Sequence, residues 1–265
     1  MNKIEILGFS VSLGKYQDFV DEIILKAKNK TQSYICIAAV HQLMEAHADA
    51  SFAKISHNAD IVTPDGLPIT WALKWLYNIK QDRVAGMDLL PDLLKDAEKN
   101  KLSVYFYGST QTMLDKTSDY LQQKFPHLHV AGFYSPPFRP LTTDEENEIC
   151  AMINNSGAGL VFVVLGCPKQ ERWMSAMKSK INATLIGVGG ALPVLVGLQK
   201  RAPSWMQKSG LEWFFRFLQE PGRLWKRYLV TNSQFIYHIL KEKSKLKSNE
   251  RMKQKVNSYV NPFNN

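Results

Sequence analysis

Between Val163 and Trp173 the chain reads Val-Val-Leu-Gly-Cys-Pro-Lys-Gln-Glu-Arg-Trp. An apolar run of strand type breaks at Gly166, passes Pro168 and restarts as a polar, helix-compatible segment. Proline suits the first helical position, where a missing N–H costs nothing. A helix opening there aims backbone N–H groups and a positive dipole end at the mouth of the strand, a place suited to phosphate. Lys169, Gln170 and Glu171 crowd the same mouth. Three other segments carry comparable chemistry. Thr63-Pro64-Asp65-Gly66 brings a carboxylate into a turn, and Gly108-Ser109 ends another apolar run. Gly187-Val188-Gly189-Gly190 resembles a phosphate turn but lacks the rest of a dinucleotide fingerprint. Taken singly, Asp65 reads as a turn former and Arg83 as a surface charge.

The elements that must position these residues alternate. Strand signals fall at Ile4–Phe9, Tyr34–Ala39, Ile61–Val62, Val104–Tyr107, His129–Phe133, Leu160–Leu165 and Thr184–Val188. Amphipathic helical stretches lie between them at Tyr16–Lys28, His41–Ala48, Leu67–Tyr77, Leu89–Lys99, Gln111–Lys124, Thr143–Asn154 and Pro168–Lys178. This pattern predicts an α/β fold: a Rossmann-like, mostly parallel sheet with helices on both faces. Ligands of such sheets gather at the carboxyl ends of the strands. All the candidate segments fall at those ends, and the bland readings weaken together.

From Ala202 the chain changes character and reads as helices: Ser204–Lys208, Leu211–Glu220, then Gly222–Lys241. The last has an apolar, aromatic stripe at helical spacing through Trp225, Tyr228, Leu229, Phe235, Ile236 and Ile239. The expected organisation is an α/β catalytic domain over 1–198, a helical appendage over 199–243 and a flexible tail over 244–265. Charge divides the same way. The net charge is +9, yet residues from Gln199 onward hold 14 Lys and Arg against 4 Glu, leaving the rest nearly neutral. Such asymmetry points the tail at an anionic partner. Basic residues interleaved with Trp, Tyr and Phe fit a lipid interface, and no nucleic-acid motif occurs in the body. No uninterrupted apolar run reaches about 18 residues, so no membrane-spanning helix is expected. The amino terminus reads as a strand rather than a signal peptide. Three scattered cysteines without metal-ligand spacing suggest a reducing compartment.

Several motifs, in order, resemble the WecG/TagA/CpsF family of bacterial glycosyltransferases. They are Thr63-Pro64-Asp65-Gly66, Arg83-Val84-Ala85-Gly86-Met87-Asp88-Leu89, Tyr134-Ser135-Pro136-Pro137-Phe138 and Leu165-Gly166-Cys167-Pro168-Lys169-Gln170-Glu171. Gly187-Val188-Gly189-Gly190, Gly197, Arg201-Ala202-Pro203, Gly210-Leu211-Glu212-Trp213, Arg216, and Pro221 with Arg223 continue the series. The resemblance implies sugar transfer from a UDP-sugar to a polyprenyl-diphosphate-linked saccharide, by an inverting route that uses no metal or other cofactor. It further implies a peripheral enzyme on the cytoplasmic face of the bacterial cell membrane, docked on the anionic inner surface by its C-terminal appendage. A homo-oligomer is compatible with it.

By the same resemblance Asp65 is the base that takes the acceptor's proton. Arg83, Arg216, Arg223 and Arg227 are the cations for the departing diphosphate. Gln170 and Glu171 orient sugar or acceptor, with Gly66, Gly108, Ser109, Gly166, Pro168, Gly189 and Gly190 completing the substrate-binding rim. No Asp-x-Asp pair occurs, in keeping with a metal-free route. Two departures stand out. Many family members carry Thr-x-Asn where this chain has Ile37-Ala38-Ala39, and Phe-Asp where it has Leu192-Pro193. These apolar replacements leave open an alternative: a catalytically weak or silent relative that binds nucleotide-sugar within a membrane polysaccharide complex.

Overall fold

Each of the central strands is buried on both sides, and its alternate residues enter different cores. The computed structural model describes residues 1–260, apart from the side chains of Arg223, Lys226, Arg227 and 249–260. Its main sheet holds β3 (Ser33–Ala38), β4 (Ile61–Pro64), β5 (Val104–Gly108), β6 (Val130–Tyr134), β7 (Leu160–Val164) and β8 (Thr184–Gly187). The order is β4-β3-β8-β7-β5-β6, parallel throughout. Tyr34 and Cys36, Tyr105 and Tyr107, Val161 and Val163 face one core. Ile35, Val104, Phe106, Leu160 and Phe162 face the other. This period of two is the signature of a pleated strand covered on both faces.

Helices supply the covers. On the second face lie α1 (Tyr16–Lys28), α5 (Gly86–Lys99) and α6 (Gln111–Lys124), through residues such as Ile23, Leu93 and Leu121. The first face takes α2 (Val40–Ala48), α3 (Ala50–Asn58), α4 (Leu67–Tyr77), α7 (Thr143–Asn155) and α8 (Lys169–Met177). After β8 a 3-10 turn at Gly189–Ala191 leads into the short α9 (Leu192–Leu195).

Two local departures from the sequence reading have clear causes. The strand expected over Ile4–Phe9 is a hairpin of β1 (Lys3–Ile6) and β2 (Phe9–Ser12). Leu7 and Gly8 both take positive φ, 55° and 79°, the geometry of a tight two-residue turn. The hairpin joins the body where Val62 N–H donates to the Ser12 hydroxyl at 3.0 Å. The unexpected α3 starts at Asp49, whose carboxylate accepts the Ser51 and Phe52 N–H groups as an N-cap.

Three tail helices follow: α10 (Ser204–Lys208), α11 (Glu212–Gln219) and α12 (Pro221–Val260), which continues past Lys243. Phe235 and Ile239, one turn apart on α12, are 6% exposed and sit in the first core with residues of α2 and α4. Burying two such side chains contributes on the order of 2 kcal/mol each, more than the exposed Lys243 hydrogen bond to the Trp75 carbonyl. Apolar contact therefore outweighs that hydrogen bond in seating α12 on the body. Among the described residues, no helix is long and apolar enough to cross a membrane.

Candidate active site

The carboxyl ends of β4, β3, β8 and β7 open into one cavity of about 1020 Å³, roofed by α11 and α12. Asp65 stands on its wall. Its N–H donates to the Ala38 carbonyl at 2.8 Å, fixing the residue where β4 meets β3. Gly66, at φ 101°, then turns the chain into α4. The Asp65 carboxylate accepts the Gly86 N–H at the start of α5. Burial, and secondarily the Glu212 charge, push its pKa up to about 6, against the opposing pull of Arg83, Arg216 and the Gly86 bond. That value suits a general base working near neutrality.

Arg83 reaches the cavity because Val84 N–H donates to the Pro64 carbonyl at 3.0 Å, laying this loop beside β4. Its guanidinium is already engaged. One Nη donates to Glu212 Oε2 at 2.6 Å and the other to Asp88 Oδ2 at 2.7 Å. Arg201 holds the second Asp88 oxygen. The structure thus makes Arg83 a tie between body and tail, with its charge matched by carboxylates. Arg216, by contrast, has no carboxylate within ion-pair distance among the described residues. It lies over the glycine-rich turn, where a β-carbon on Gly190 would come within 2.8 Å of its Nη2.

Gln170 covers the other half of that turn. A β-carbon on Gly187 would lie 2.7 Å from its Nε2, and one on Gly189 would lie 3.0 Å from its Oε1. The glycines therefore make room for two protein side chains. The start of α8 also differs from the expected phosphate seat. Pro168 occupies the N-cap position and does not line the cavity. Gln170 N–H donates to the Gly166 carbonyl and Arg172 N–H to the Pro168 carbonyl. Two of the N–H groups at this helix start are thus taken by the chain itself.

Glu171 lies beneath the cavity, 1% exposed, and does not line it. The side-chain amides of Gln42 and Gln170 both donate to its Oε1, at 2.6 and 2.8 Å. Burial raises its carboxyl above the usual range. Gly108 and Ser109 also stand away from the cavity, because β5 is separated from the β3–β8 crevice by β7. A β-carbon on Gly108 would press on the Val164 carbonyl oxygen at 2.6 Å, so this glycine serves strand contact. The Ser109 carbonyl accepts the Ser135 hydroxyl at 2.7 Å.

Of the expected residues, Asp65, Gly66, Arg83, Gly166, Gln170, Gly189, Gly190 and Arg216 therefore share one cavity. The side chains of Arg223 and Arg227 lie outside the described residues. Gln42 and Glu212 join the wall without having been singled out for a role. Ile37, Ala39 and Pro193 line the cavity, while Leu192 is fully buried in the second core. Among the described residues, no group of three or more His, Cys, Asp or Glu is arranged to hold a metal ion.

An open parallel sheet with a carboxylate and a cation at its strand ends has the form of a group-transfer enzyme. Comparison with known proteins gives the class its name. The profile of the Glycosyl transferase WecG/TagA/CpsF family matches residues 4–249. The chain belongs to that family and is a glycosyltransferase. It is 32% identical over 198 residues to an N-acetylglucosaminyldiphosphoundecaprenol N-acetyl-beta-D-mannosaminyltransferase of Bacillus spizizenii, covering 74% of each chain. It is 30% identical to the Bacillus subtilis protein of the same name, over 74% of this chain and 75% of that one. A Staphylococcus aureus protein of that name is 27% identical over 250 residues, 92% of this chain and 95% of its own.

Proposed function

We propose that this enzyme transfers an N-acetylhexosamine from its UDP-sugar to a polyprenyl-diphosphate-linked saccharide, with inversion and without a metal. The observation that carries the reading is Asp65, a carboxylate of raised pKa sharing one cavity with Arg216. In the proposed step Asp65 takes the proton of an acceptor hydroxyl. That oxygen bonds to the anomeric carbon as the bond from this carbon to the β-phosphate oxygen breaks, and UDP departs. Charge growing on the leaving diphosphate is met by Arg216. Arg83 positions Glu212 and Asp88 rather than meeting the diphosphate directly. The apolar wall at Ile37 and Ala39 favours a donor that presents a methyl there, as an acetamido group does.

The acceptor side of the reading rests on the relatives' names and on the cavity rim. Trp71 and Trp75 of α4 line the cavity and remain 55% and 47% exposed, opposite Ile236 and Leu240 of α12, at 59% and 52%. Trp205, Leu218, Trp225 and Leu229 are further exposed apolar side chains of the tail. In sequence, Leu240 is followed by Lys241, Lys243, Lys245 and Lys247. A surface of this kind suits the headgroup boundary of an anionic leaflet, where each Lys or Arg contributes about 1 kcal/mol. It would hold the enzyme at the cytoplasmic face with the isoprenoid chain leaving across the tryptophans. The test is to mix the protein with UDP-N-acetylhexosamines and a lipid-diphosphate-GlcNAc analogue and measure UDP release. Release that requires both substrates supports the reading. Donor binding without release would instead support the silent relative.

A further inference from the structure

We propose that Glu212 is a sugar-recognising residue, whose Oε1 accepts a hydrogen from a hydroxyl or acetamido N–H of a substrate sugar. The assignment rests on the glycosyl-transfer reading of the same cavity and adds to it a residue supplied by the tail.

Glu212 opens α11, with Gly210 just before it at φ 73° and packed against the Trp71 ring. This turn brings the glutamate into the cavity wall. Arg83 holds its Oε2 at 2.6 Å, and the side chain is 17% exposed. Oε1 is buried and has no hydrogen-bond partner among the described residues. A buried carboxylate oxygen without a donor is a costly arrangement, and a bound ligand is one way to satisfy it. As a carboxylate paired with Arg83, it accepts hydrogen bonds and donates none. A phosphate is repelled at such a site, whereas a sugar hydroxyl or amide N–H fits it.

Arg216 supplies the complementary argument. It lies four residues on, so Glu212 and Arg216 project from one face of α11, about 5–6 Å apart at their β-carbons. One helical turn thus offers a hydrogen-bond acceptor for a sugar and, beside it, a cation for the diphosphate attached to that sugar. Both the donor and the acceptor contain this sugar-diphosphate unit, and kinetics can tell them apart.

The test compares full-length wild type with Glu212→Gln and Glu212→Ala. It measures Kd for UDP alone and KM for UDP-N-acetylhexosamine and for a lipid-diphosphate-GlcNAc analogue, with thermal melts as a folding control. The expected result for Glu212→Ala is a KM raised about tenfold for one substrate with UDP affinity held within about twofold. Glu212→Gln, which keeps an oxygen for Arg83, should fall between and serves as the reference if the alanine variant does not fold. A rise for the donor assigns Glu212 to the transferred sugar, and a rise for the acceptor assigns it to the receiving sugar. Unchanged KM values for both substrates would overturn the proposal. So would UDP affinity weakened as much as UDP-sugar affinity, the mark of a role in seating the tail alone. Wild type that binds neither UDP nor UDP-sugar would overturn the transfer reading as well.

Discussion

Gly190 and Arg216 come from opposite ends of the architecture, the central β8 turn and the tail helix α11, yet a β-carbon on the glycine would sit 2.8 Å from the guanidinium. The glycine-rich turn is a seat for this arginine. Gly190→Val should displace the side chain and weaken UDP binding about tenfold, and Arg216→Ala should do the same by removing it. Because both act through one contact, the double variant should be little worse than either single one. Titration calorimetry with UDP across the four proteins checks this, and additive losses would separate the two residues.

In the proposed mechanism Asp65 sets a pH dependence. With its pKa at about 6, the proportion of active base falls as pH drops through that value, and kcat/KM should decline about tenfold per unit below it. Glu212 raises this pKa and Arg216 lowers it. Glu212→Gln should therefore move the acid limb to lower pH, and Arg216→Gln should move it higher. Profiles of kcat/KM measured from about pH 5 to 8 would show both shifts.

The same shift carries a stability consequence. The folded-state value of about 6 lies above the ordinary 3.8, so folding binds the proton more tightly and the charge opposes folding as pH rises between them. Below about pH 4 the opposition is absent, and above about pH 6 it is complete. Asp65→Asn should melt a few degrees above wild type at about pH 7.5. The two should melt together at about pH 4. Scanning calorimetry at the two pH values tests the sign.

Glu171 supports the cavity floor, since Gln42 and Gln170 both donate to one of its oxygens. Glu171→Ala strands two buried amide donors and should cost about 2–4 kcal/mol in urea denaturation. Its effect on transfer should run through Gln170, lowering kcat with UDP affinity preserved. Glu171→Gln should recover much of the stability.

If the tail docks on a membrane as proposed, the exposed aromatic and aliphatic rim should carry the capture. Replacing Trp225 and Leu229, 54% and 64% exposed, with serine should cut co-flotation with phosphatidylglycerol vesicles at least several-fold, while transfer to a water-soluble acceptor persists. High salt should weaken wild-type capture further. Equal capture by neutral vesicles would contradict a contribution from the basic tail.

Much of the scaffold was legible because it is encoded locally. Tyr16–Lys28, Leu67–Tyr77 and Gln111–Lys124 have the helical bounds that their apolar spacing predicts. The β1–β2 hairpin was hidden because its turn is marked only by Gly8 beside a leucine with positive φ. Helix α3 buries few residues, chiefly Phe52 and Ser56, and its clearest signal is the Asp49 cap. Within the site, Asp65, Gln170 and Arg216 could be found from strand ends and motif order. Other parts depended on tertiary contacts that no spacing reveals. Arg83 meets Glu212 across 129 residues, which turns an expected free cation into a tie. Glycines that read as a phosphate turn proved to accommodate Gln170 and Arg216.

The most direct test of the account is a product assay on wild type and Asp65→Asn. Each protein is incubated with UDP-ManNAc or another UDP-N-acetylhexosamine and a lipid-diphosphate-GlcNAc analogue, with product mass and anomeric configuration read together. Wild type should yield one added N-acetylhexosamine with inverted configuration. For Asp65→Asn the rate should be about 10²–10⁴ lower with UDP binding intact. Wild-type protein that adds no sugar from any of these donors would contradict the proposed mechanism, as would Asp65→Asn turning over near the wild-type rate.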